Sequence, residues 1–158
     1  FIRLMADTGA HMVSNGDSPA GPSLVSPRLY RQFALPYEKQ TVEEAHRLGL
    51  PYMLHICGKT EPILDDMVST GADALELDYK TDPVRACGAL ADRVTFVGNI
   101  DPTGVLAQGT QADVTRSTRE LLRVFAGTPR FILNAGCAIP ADTPPENLRA
   151  LIRAAREG

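Results

Sequence analysis

The stretch YMLHICGKT, residues 52–60, carries a histidine and a cysteine two positions apart at the end of a short apolar run. The run YMLHI (52–56) has the length of a strand and contains aromatic and β-branched residues, which favours a strand over a helix. Successive side chains of a strand point to opposite faces, so positions i and i+2 share a face. We therefore expect His55 and Cys57 to lie on one face, at the carboxyl end of a strand.

The same pattern of a short apolar run that ends in polar or glycine residues recurs along the chain. Four further runs predict strands, and they are HMVS (11–14), ALEL (74–77), VTFVG (94–98) and RFIL (130–133). Amphipathic segments separate these runs. Alternating strands and helices with short connections predict right-handed crossovers and a parallel sheet covered by helices.

Three amphipathic segments have recognisable helix ends. The first should begin after an N-cap at Ser26, kink or break at Pro36, and close at Gly49 as the C-cap. The second covers residues 112–126, where apolar side chains recur at helical spacing. The last should follow a capping box formed by the segment TPPE, with Thr143 as its N-cap.

The polar residues at the strand ends distinguish two α/β folds. They are NGDS (15–18), His55 with Cys57, Glu76 with Asp78, GNID (98–101) and NAGC (134–137). A (β/α)8 barrel builds its active site from the carboxyl ends of all its strands, whereas an open sheet uses one switch point. We therefore predict a (β/α)8 TIM barrel. A complete barrel has eight strands and about 250 residues, so this chain of 158 residues should be a single-domain fragment, the C-terminal part with about five βα units.

One imidazole and two thiols are candidate metal ligands at this edge of the sheet. His55 and Cys57 end one predicted strand, and Cys137 follows the last one. One histidine and two cysteines form a zinc set whose fourth position stays open for substrate, as in catalytic sites. The alternative is that the cysteines are small apolar core residues and that the histidine is merely hydrogen-bonded. Cys87, in the segment VRACGAL, is expected to pack on a helix.

Composition and charge exclude several classes of function. Sixteen basic and nineteen acidic residues give a net charge of -3 without a basic block, which argues against nucleic acid as a partner. The sequence has no apolar stretch near the roughly 18 residues that span a membrane. Its three cysteines are odd in number and widely spaced, so we expect a cytoplasmic protein without a disulfide framework.

Four segments together resemble a known family. They are SPRLYRQFALPYEKQ (26–40), HICG (55–58), GNIDP (98–102) and NAGCAIPADTPPENLRALIRAARE (134–157). They are similar to the C-terminal part of the uroporphyrinogen decarboxylase superfamily, and specifically to its zinc-dependent cobamide methyltransferase branch. In that branch the zinc ligands are an H-x-C pair and a later cysteine in a G-C context, which match His55, Cys57 and Cys137. True decarboxylases carry glycine-histidine-glycine where this chain has AGC.

The resemblance implies a methyltransferase that moves a methyl group from a methylcorrinoid to a zinc-activated thiol such as coenzyme M. The corrinoid would be carried by a partner protein. An acidic residue would hold the fourth zinc position until substrate displaces it, with Asp78 as the first choice and Glu76 as the second. Asp17, Asn99 and Asp101 are expected to line the pocket and bind corrinoid or substrate. The alternative for these three residues is turn chemistry, in which they cap backbone groups.

Two other functions stay open. The first is uroporphyrinogen decarboxylation, which acts on a tetrapyrrole without a metal. The second is a non-catalytic fragment or a corrinoid-binding partner. In each case, an unclosed barrel leaves strand edges exposed, so we expect a missing N-terminal half or another chain to complete it.

Overall fold

The computed structural model describes residues 1–90 and 92–157, and five parallel strands form one sheet in it. The strands are β1 (Val13–Gly16), β2 (Tyr52–Ile56), β3 (Ala74–Leu77), β4 (Thr95–Ile100) and β5 (Phe131–Ala135). Each strand pairs with the next in the chain, so the spatial order equals the sequence order. Consecutive units of a (β/α)8 barrel have this order, whereas a doubly wound sheet reverses direction at its switch point.

Helices connect the strands. They are α1 (Ile2–Asp7), α2 (Pro27–Phe33), α3 (Leu35–Arg47), α4 (Leu64–Val68), α5 (Pro83–Leu90), α6 (Gln111–Val124) and α7 (Pro145–Glu157). Short helical turns cover Ser18–Ala20 and Glu61–Ile63, and a π-helix covers Pro102–Ala107. In the described part of the chain, each helix is too short or too polar to cross a membrane.

The first predicted helical segment has the expected ends and the expected break. The hydroxyl of Ser26 accepts a hydrogen bond from the backbone of Leu29 at the start of α2. The segment divides into α2 and α3 next to Pro36, whose missing N–H and bulky ring disfavour a continuous helix. Gly49 follows α3 with a φ of 74°, in the left-handed region that closes helices.

The prediction of a capping box before α7 is wrong. The hydroxyl of Thr143 has no hydrogen-bond partner within the described residues, and the helix begins at Pro145. The backbone N–H groups of Asn147 and Leu148 both donate to the carbonyl of Pro144. The first N–H groups of a helix have no partner within the helix, and a side-chain cap normally accepts from one of them. Pro144 and Pro145 have no N–H, so fewer unpaired donors remain for such a cap.

The main core lies between the sheet and the helices. Leu54, Ile56, Leu75, Leu77 and Phe96 point to that side and are fully buried. On β2 these side chains alternate with half-buried ones that face the opposite side. That opposite face corresponds to the interior of a barrel. It is only partly covered in this chain, as the 55% exposure of Ile132 on β5 shows.

Candidate metal centre

His55 and Cys57 share the inner face of the sheet, as the strand period requires. His55 lies on β2, and Cys57 follows the strand directly. The His55 Nε2 and Cys57 Sγ atoms are 2.9 Å apart, and both side chains are partly buried. The i and i+2 positions therefore place an imidazole and a thiol next to each other at the carboxyl end of β2.

Cys137 reaches the same point from the far end of the sheet. It follows β5, which is three strands away from β2 in the sheet order. In a flat sheet these strands would be about 14 Å apart, yet the Sγ atoms of Cys57 and Cys137 are 3.6 Å apart. The strand ends therefore curve toward a common axis as in a barrel wall. Ligand atoms of His55, Cys57 and Cys137 all lie within 4.8 Å of one another.

These three side chains fit a zinc ion. Zinc–sulfur and zinc–nitrogen bond lengths at tetrahedral angles require ligand separations of about 3.8 Å between sulfurs and about 3.6 Å between sulfur and nitrogen. The sulfur–sulfur distance of 3.6 Å agrees, and the 2.9 Å contact of His55 with Cys57 would have to lengthen by several tenths of an ångström. Thiolate and imidazole ligands together favour zinc over magnesium or calcium.

The tautomer of His55 suits metal binding. Its Nδ1 atom is 3.0 Å from the backbone oxygen of Glu76. A carbonyl oxygen can only accept, so Nδ1 carries a proton and Nε2 is the ring nitrogen that could bind a metal. The Nε2 atom faces Cys57. Metal-binding histidines are commonly oriented in this way by a carbonyl or carboxylate on the other ring nitrogen.

Electrostatics at Cys137 also favour a cation. Burial raises the pKa of the Cys137 thiol, and the neighbouring Cys57 and Asp78 raise it further, although a backbone hydrogen bond from Ala138 opposes them. Negative groups are thus crowded at this edge of the sheet. A divalent cation among the three ligand atoms would reverse this effect and stabilise the thiolates.

Glu76 and Asp78 lie close to the three ligands, but their carboxylates are not part of the cluster. Glu76 Oε1 accepts a hydrogen bond of 2.9 Å from Asn134, and its Oε2 is 3.4 Å from His55 Nδ1. Both oxygens of Asp78 accept hydrogen bonds from backbone N–H groups, those of Gly58 and Lys80. Glu76 therefore supports the histidine, and Asp78 joins the loops that follow β2 and β3. Coordination by either carboxylate stays a prediction.

The three residues expected to line the pocket contact protein groups in this structure. Asn99 donates to the backbone oxygens of Asp78 and Thr81. Asp101 caps the helix Pro102–Ala107 by accepting from two backbone N–H groups. The backbone N–H of Asp17 donates to the backbone oxygen of His55 at 2.8 Å. Their contacts with substrate or corrinoid stay predictions, and for Asn99 and Asp101 the capping alternative describes the contacts present.

Sequence reasoning placed the segment NAGC at the strand ends that build the site but gave no role to Gly136 or Asn134. A side chain at Gly136 would place its Cβ 2.3 Å from the backbone nitrogen of Tyr79, so the end of β5 lies directly against the loop after β3. Asn134 orients the carboxylate of Glu76. Both residues belong to the segment NAGC, where the glycine before the cysteine was the available signal for a close backbone approach.

Cys87 lies away from the cluster, as expected. Its Sγ atom is 3.5 Å from the backbone oxygen of Val124 at the end of α6, and its side chain packs against the core. His46 lies on α3 and pairs with Asp73 near the surface, with 2.8 Å between Nε2 and Oδ2. Neither residue contributes a ligand atom to the candidate metal site.

The proximity of two cysteine sulfurs predicts a specific disulfide. Chelator-treated protein exposed to diamide should form a bond between Cys57 and Cys137, because their Sγ atoms are 3.6 Å apart. Each thiol gives up one proton and one electron, and diamide takes up two of each. Peptide mapping by mass spectrometry should find this bond and a free Cys87 thiol, and prior loading with zinc should prevent it. A bond that involves Cys87 would contradict the observed arrangement.

Comparison with known proteins places this fold and these motifs in one family. Residues 1–158 match the family described as Uroporphyrinogen decarboxylase (URO-D). The chain belongs to the URO-D family. A solved structure described as a methyltransferase from Methanosarcina mazei superimposes with a TM-score of 0.88 at 29% identity, and the match covers 99% of this chain and 44% of that one. The predicted fold class, part of a (β/α)8 barrel, is confirmed.

Curated URO-D relatives include two kinds of enzyme. The methylcobamide:CoM methyltransferase MtbA from Methanosarcina mazei is 33% identical over 156 residues, which are 99% of this chain and 44% of MtbA. The uroporphyrinogen decarboxylase from Trichodesmium erythraeum is 35% identical over 159 residues, 99% of this chain and 43% of that enzyme. The chain thus spans less than half the length of the relatives it matches.

Proposed function

We propose that this chain supplies the zinc site of an enzyme that moves a methyl group from a methylcorrinoid to a thiol such as coenzyme M. The observation that supports the proposal is the convergence of His55, Cys57 and Cys137, whose ligand atoms lie within 4.8 Å of one another. Similarity to a methylcobamide:CoM methyltransferase over 99% of the chain supports the same reaction class.

The three side chains would hold zinc through two thiolates and a neutral imidazole. The two negative charges of the thiolates would balance the charge of the ion. Zinc in such a set binds a substrate thiol at its open fourth position and keeps that thiol deprotonated at neutral pH. The protein fixes the geometry. The backbone oxygen of Glu76 holds the imidazole ring, and Asn134 in turn holds the Glu76 carboxylate.

Glu76 and Asp78 are both candidates for the carboxylate that occupies the fourth position without substrate. Both oxygens of Asp78 are engaged by backbone N–H groups, at 2.8 Å from Gly58 and 2.9 Å from Lys80. Among the described residues, one oxygen of Glu76 accepts a hydrogen bond from the amide of Asn134, and the other lies 3.4 Å from His55 Nδ1. A shift of Glu76 toward the metal would break fewer hydrogen bonds, so the structure favours Glu76 over Asp78 for this role.

The second candidate is uroporphyrinogen decarboxylation. It is supported by the 35% identity with the Trichodesmium erythraeum enzyme, which is as high as the identity with the methyltransferases. A decarboxylase without a metal has no use for a histidine and two cysteines that converge at one point. The site therefore favours methyl transfer.

The proposed partners follow from the reaction and from the incomplete barrel. A corrinoid-carrying protein would bring the methyl group to the carboxyl ends of the strands. The outer edges of β1 and β5 and the exposed inner face would be covered by further barrel strands, because parallel strands with free edges are normally paired or covered.

Metal content and methyl transfer test the proposal. We expect about one zinc per purified chain by plasma mass spectrometry, and methylation of coenzyme M from methylcobalamin that a chelator abolishes. Folded protein without affinity for zinc would overturn the proposal, and tetrapyrrole decarboxylation that is insensitive to chelators would establish the second candidate. Zinc binding without either reaction would identify a metal-binding fragment that needs the rest of the barrel for turnover.

A further inference from the structure

The loop after β3 binds the segment that follows β2. We call residues 57–60 the ligand loop, because its first residue is a proposed metal ligand, and residues 78–81 the β3 turn. The N–H of Gly58 donates to the Asp78 carboxylate at 2.8 Å, and the backbone oxygen of Gly58 accepts from the Thr81 hydroxyl at 3.0 Å. The β3 turn therefore holds both polar backbone groups of the residue that directly follows the ligand.

The Thr81 hydroxyl uses its whole hydrogen-bonding capacity on the ligand loop. A hydroxyl has one proton to donate and two lone pairs that accept. Because a carbonyl oxygen can only accept, the proton of Thr81 goes to the backbone oxygen of Gly58. The hydroxyl then accepts from the N–H of Thr60 at 3.1 Å and from the Thr60 hydroxyl at 2.9 Å. One side chain of the β3 turn thus bonds three groups of the ligand loop.

Burial makes these three bonds costly to lose. Thr60 and Thr81 are both fully buried. A buried donor or acceptor that loses its partner costs more free energy than an average hydrogen bond contributes. Without the Thr81 hydroxyl, the Gly58 oxygen and two groups of Thr60 would lose their partner together. The ligand loop would have to move to find other partners.

The β3 turn is itself fixed by further hydrogen bonds. The N–H of Thr81 donates to the backbone oxygen of Asp78 at 2.9 Å and closes the turn. The side-chain amide of Asn99, near the end of β4, donates to that same oxygen at 3.2 Å and to the backbone oxygen of Thr81 at 2.8 Å. The N–H of Lys80 donates to the Asp78 carboxylate at 2.9 Å. The Thr81 hydroxyl therefore extends from a rigid support.

We propose that Thr81 is a positioning residue, whose hydroxyl fixes the ligand loop and thereby holds the backbone from which the Cys57 thiol reaches the metal centre. Pairing of β2 with β3 as far as Ile56 fixes the chain before Cys57, and the bonds of Thr81 fix the chain after it. The inference rests on the proposed function in one respect, because it treats Cys57 as a metal ligand. The bonds of Thr81 do not themselves depend on a metal.

Cobalt binding by the full chain tests the positioning role. Thr81→Ser keeps the hydroxyl, so its Co²⁺ dissociation constant should stay within about twofold of the unsubstituted chain. Thr81→Val has nearly the same shape but neither donates nor accepts. It should weaken Co²⁺ binding about tenfold, as does the loss of a residue that orients a metal ligand. It should also shift the thiolate-to-cobalt absorption band, because the Cys57 thiol would approach the metal from another direction.

Thr118→Val is the matched control, because it makes the same replacement at another fully buried threonine. Thr118 lies on α6, and its hydroxyl has no hydrogen-bond partner within the described residues. Its loss breaks no bond, so cobalt affinity, absorption band and melting temperature should not fall or shift. A folded Thr81→Val variant with unchanged affinity and band would overturn the proposal, as would an equal loss of affinity in Thr81→Ser or Thr118→Val.

A milder variant serves if Thr81→Val does not fold. Thr60→Val removes the bond between the two hydroxyls and leaves the other two bonds of Thr81 in place. It should weaken Co²⁺ binding about threefold, since one hydrogen bond is lost instead of three. Unchanged affinity and an unchanged absorption band in this variant would then overturn the proposal.

Hydrogen exchange of the metal-free chain, followed by nuclear magnetic resonance, separates this inference from the proposed function. In the unsubstituted chain the amides of Gly58 and Thr60 should exchange slowly, because both donate to the β3 turn. Slow exchange together with no cobalt binding would mean that the metal proposal fails while the bonds of Thr81 stand. Rapid exchange of the Thr60 amide in folded protein would overturn the inference whatever the metal affinity.

Discussion

Replacing Cys137 with alanine is expected to weaken zinc binding at least about a hundredfold. Loss of a residue that only orients a metal ligand costs about 10- to 100-fold in affinity, and loss of a ligand should cost more. The two remaining ligands, His55 and Cys57, come from a single strand end. They can hold a divalent ion only with two open positions. The measurement is competition with a zinc chelator of known affinity.

Cys87→Ala is the control for this experiment. Cys87 packs against α6 and is not one of the three clustered ligand residues, so its loss should leave zinc affinity unchanged. Cys137→Ala should keep its fold, because Cys137 is only partly buried and its φ is not positive, so alanine can adopt the same backbone conformation. Equal zinc affinity in Cys137→Ala and the unsubstituted chain would show that the metal, if bound, is held elsewhere.

Local sequence patterns predicted the sheet well and the short helices poorly. The bounds of β2 and β3 agree with the apolar runs 52–56 and 74–77. β1 begins two residues later than the run 11–14, because pairing with Tyr52 fixes the start of the ladder at Val13. The register of a strand depends on its partner, which a local pattern does not contain. Helix α4 has five residues, too few for a periodic pattern.

The candidate site was predictable to the extent that it follows from strand geometry. The i and i+2 relation placed His55 and Cys57 together, and the barrel hypothesis brought Cys137 to them across 80 residues. The partners of the site were not predictable. The bond from His55 to the backbone of Glu76 and the bond from Gly58 to the Asp78 carboxylate join segments that lie about 20 residues apart. Such contacts depend on tertiary packing, which cannot be predicted from the secondary-structure propensities of a sequence.

Gly136→Ala is expected to lower the free energy of unfolding by about 3 kcal/mol. An added Cβ would lie 2.3 Å from the backbone nitrogen of Tyr79 and 3.0 Å from the carbonyl carbon of Asp78. These are backbone atoms, so no side-chain rotation relieves the clash, and either β5 or the loop after β3 must move. For a chain of this size, the loss corresponds to a fall of about 10 °C in the melting temperature.

Gly88→Ala is expected to have the opposite effect on the free energy of unfolding. Gly88 lies inside α5, and apart from its chain neighbours and the helix's own backbone no atom of the described residues lies within 4 Å of an added Cβ. Alanine there should raise the free energy of unfolding by about 0.5–1 kcal/mol through helix propensity and a less flexible unfolded chain. Calorimetry of the two variants therefore separates a steric effect from a general response to glycine replacement.

Because Gly136 precedes Cys137, the Gly136→Ala variant should also bind zinc more weakly, whereas Gly88→Ala should not. A Gly136→Ala variant as stable as Gly88→Ala would mean that the end of β5 does not press against the loop after β3, and the convergence of the three ligands would lose its structural basis.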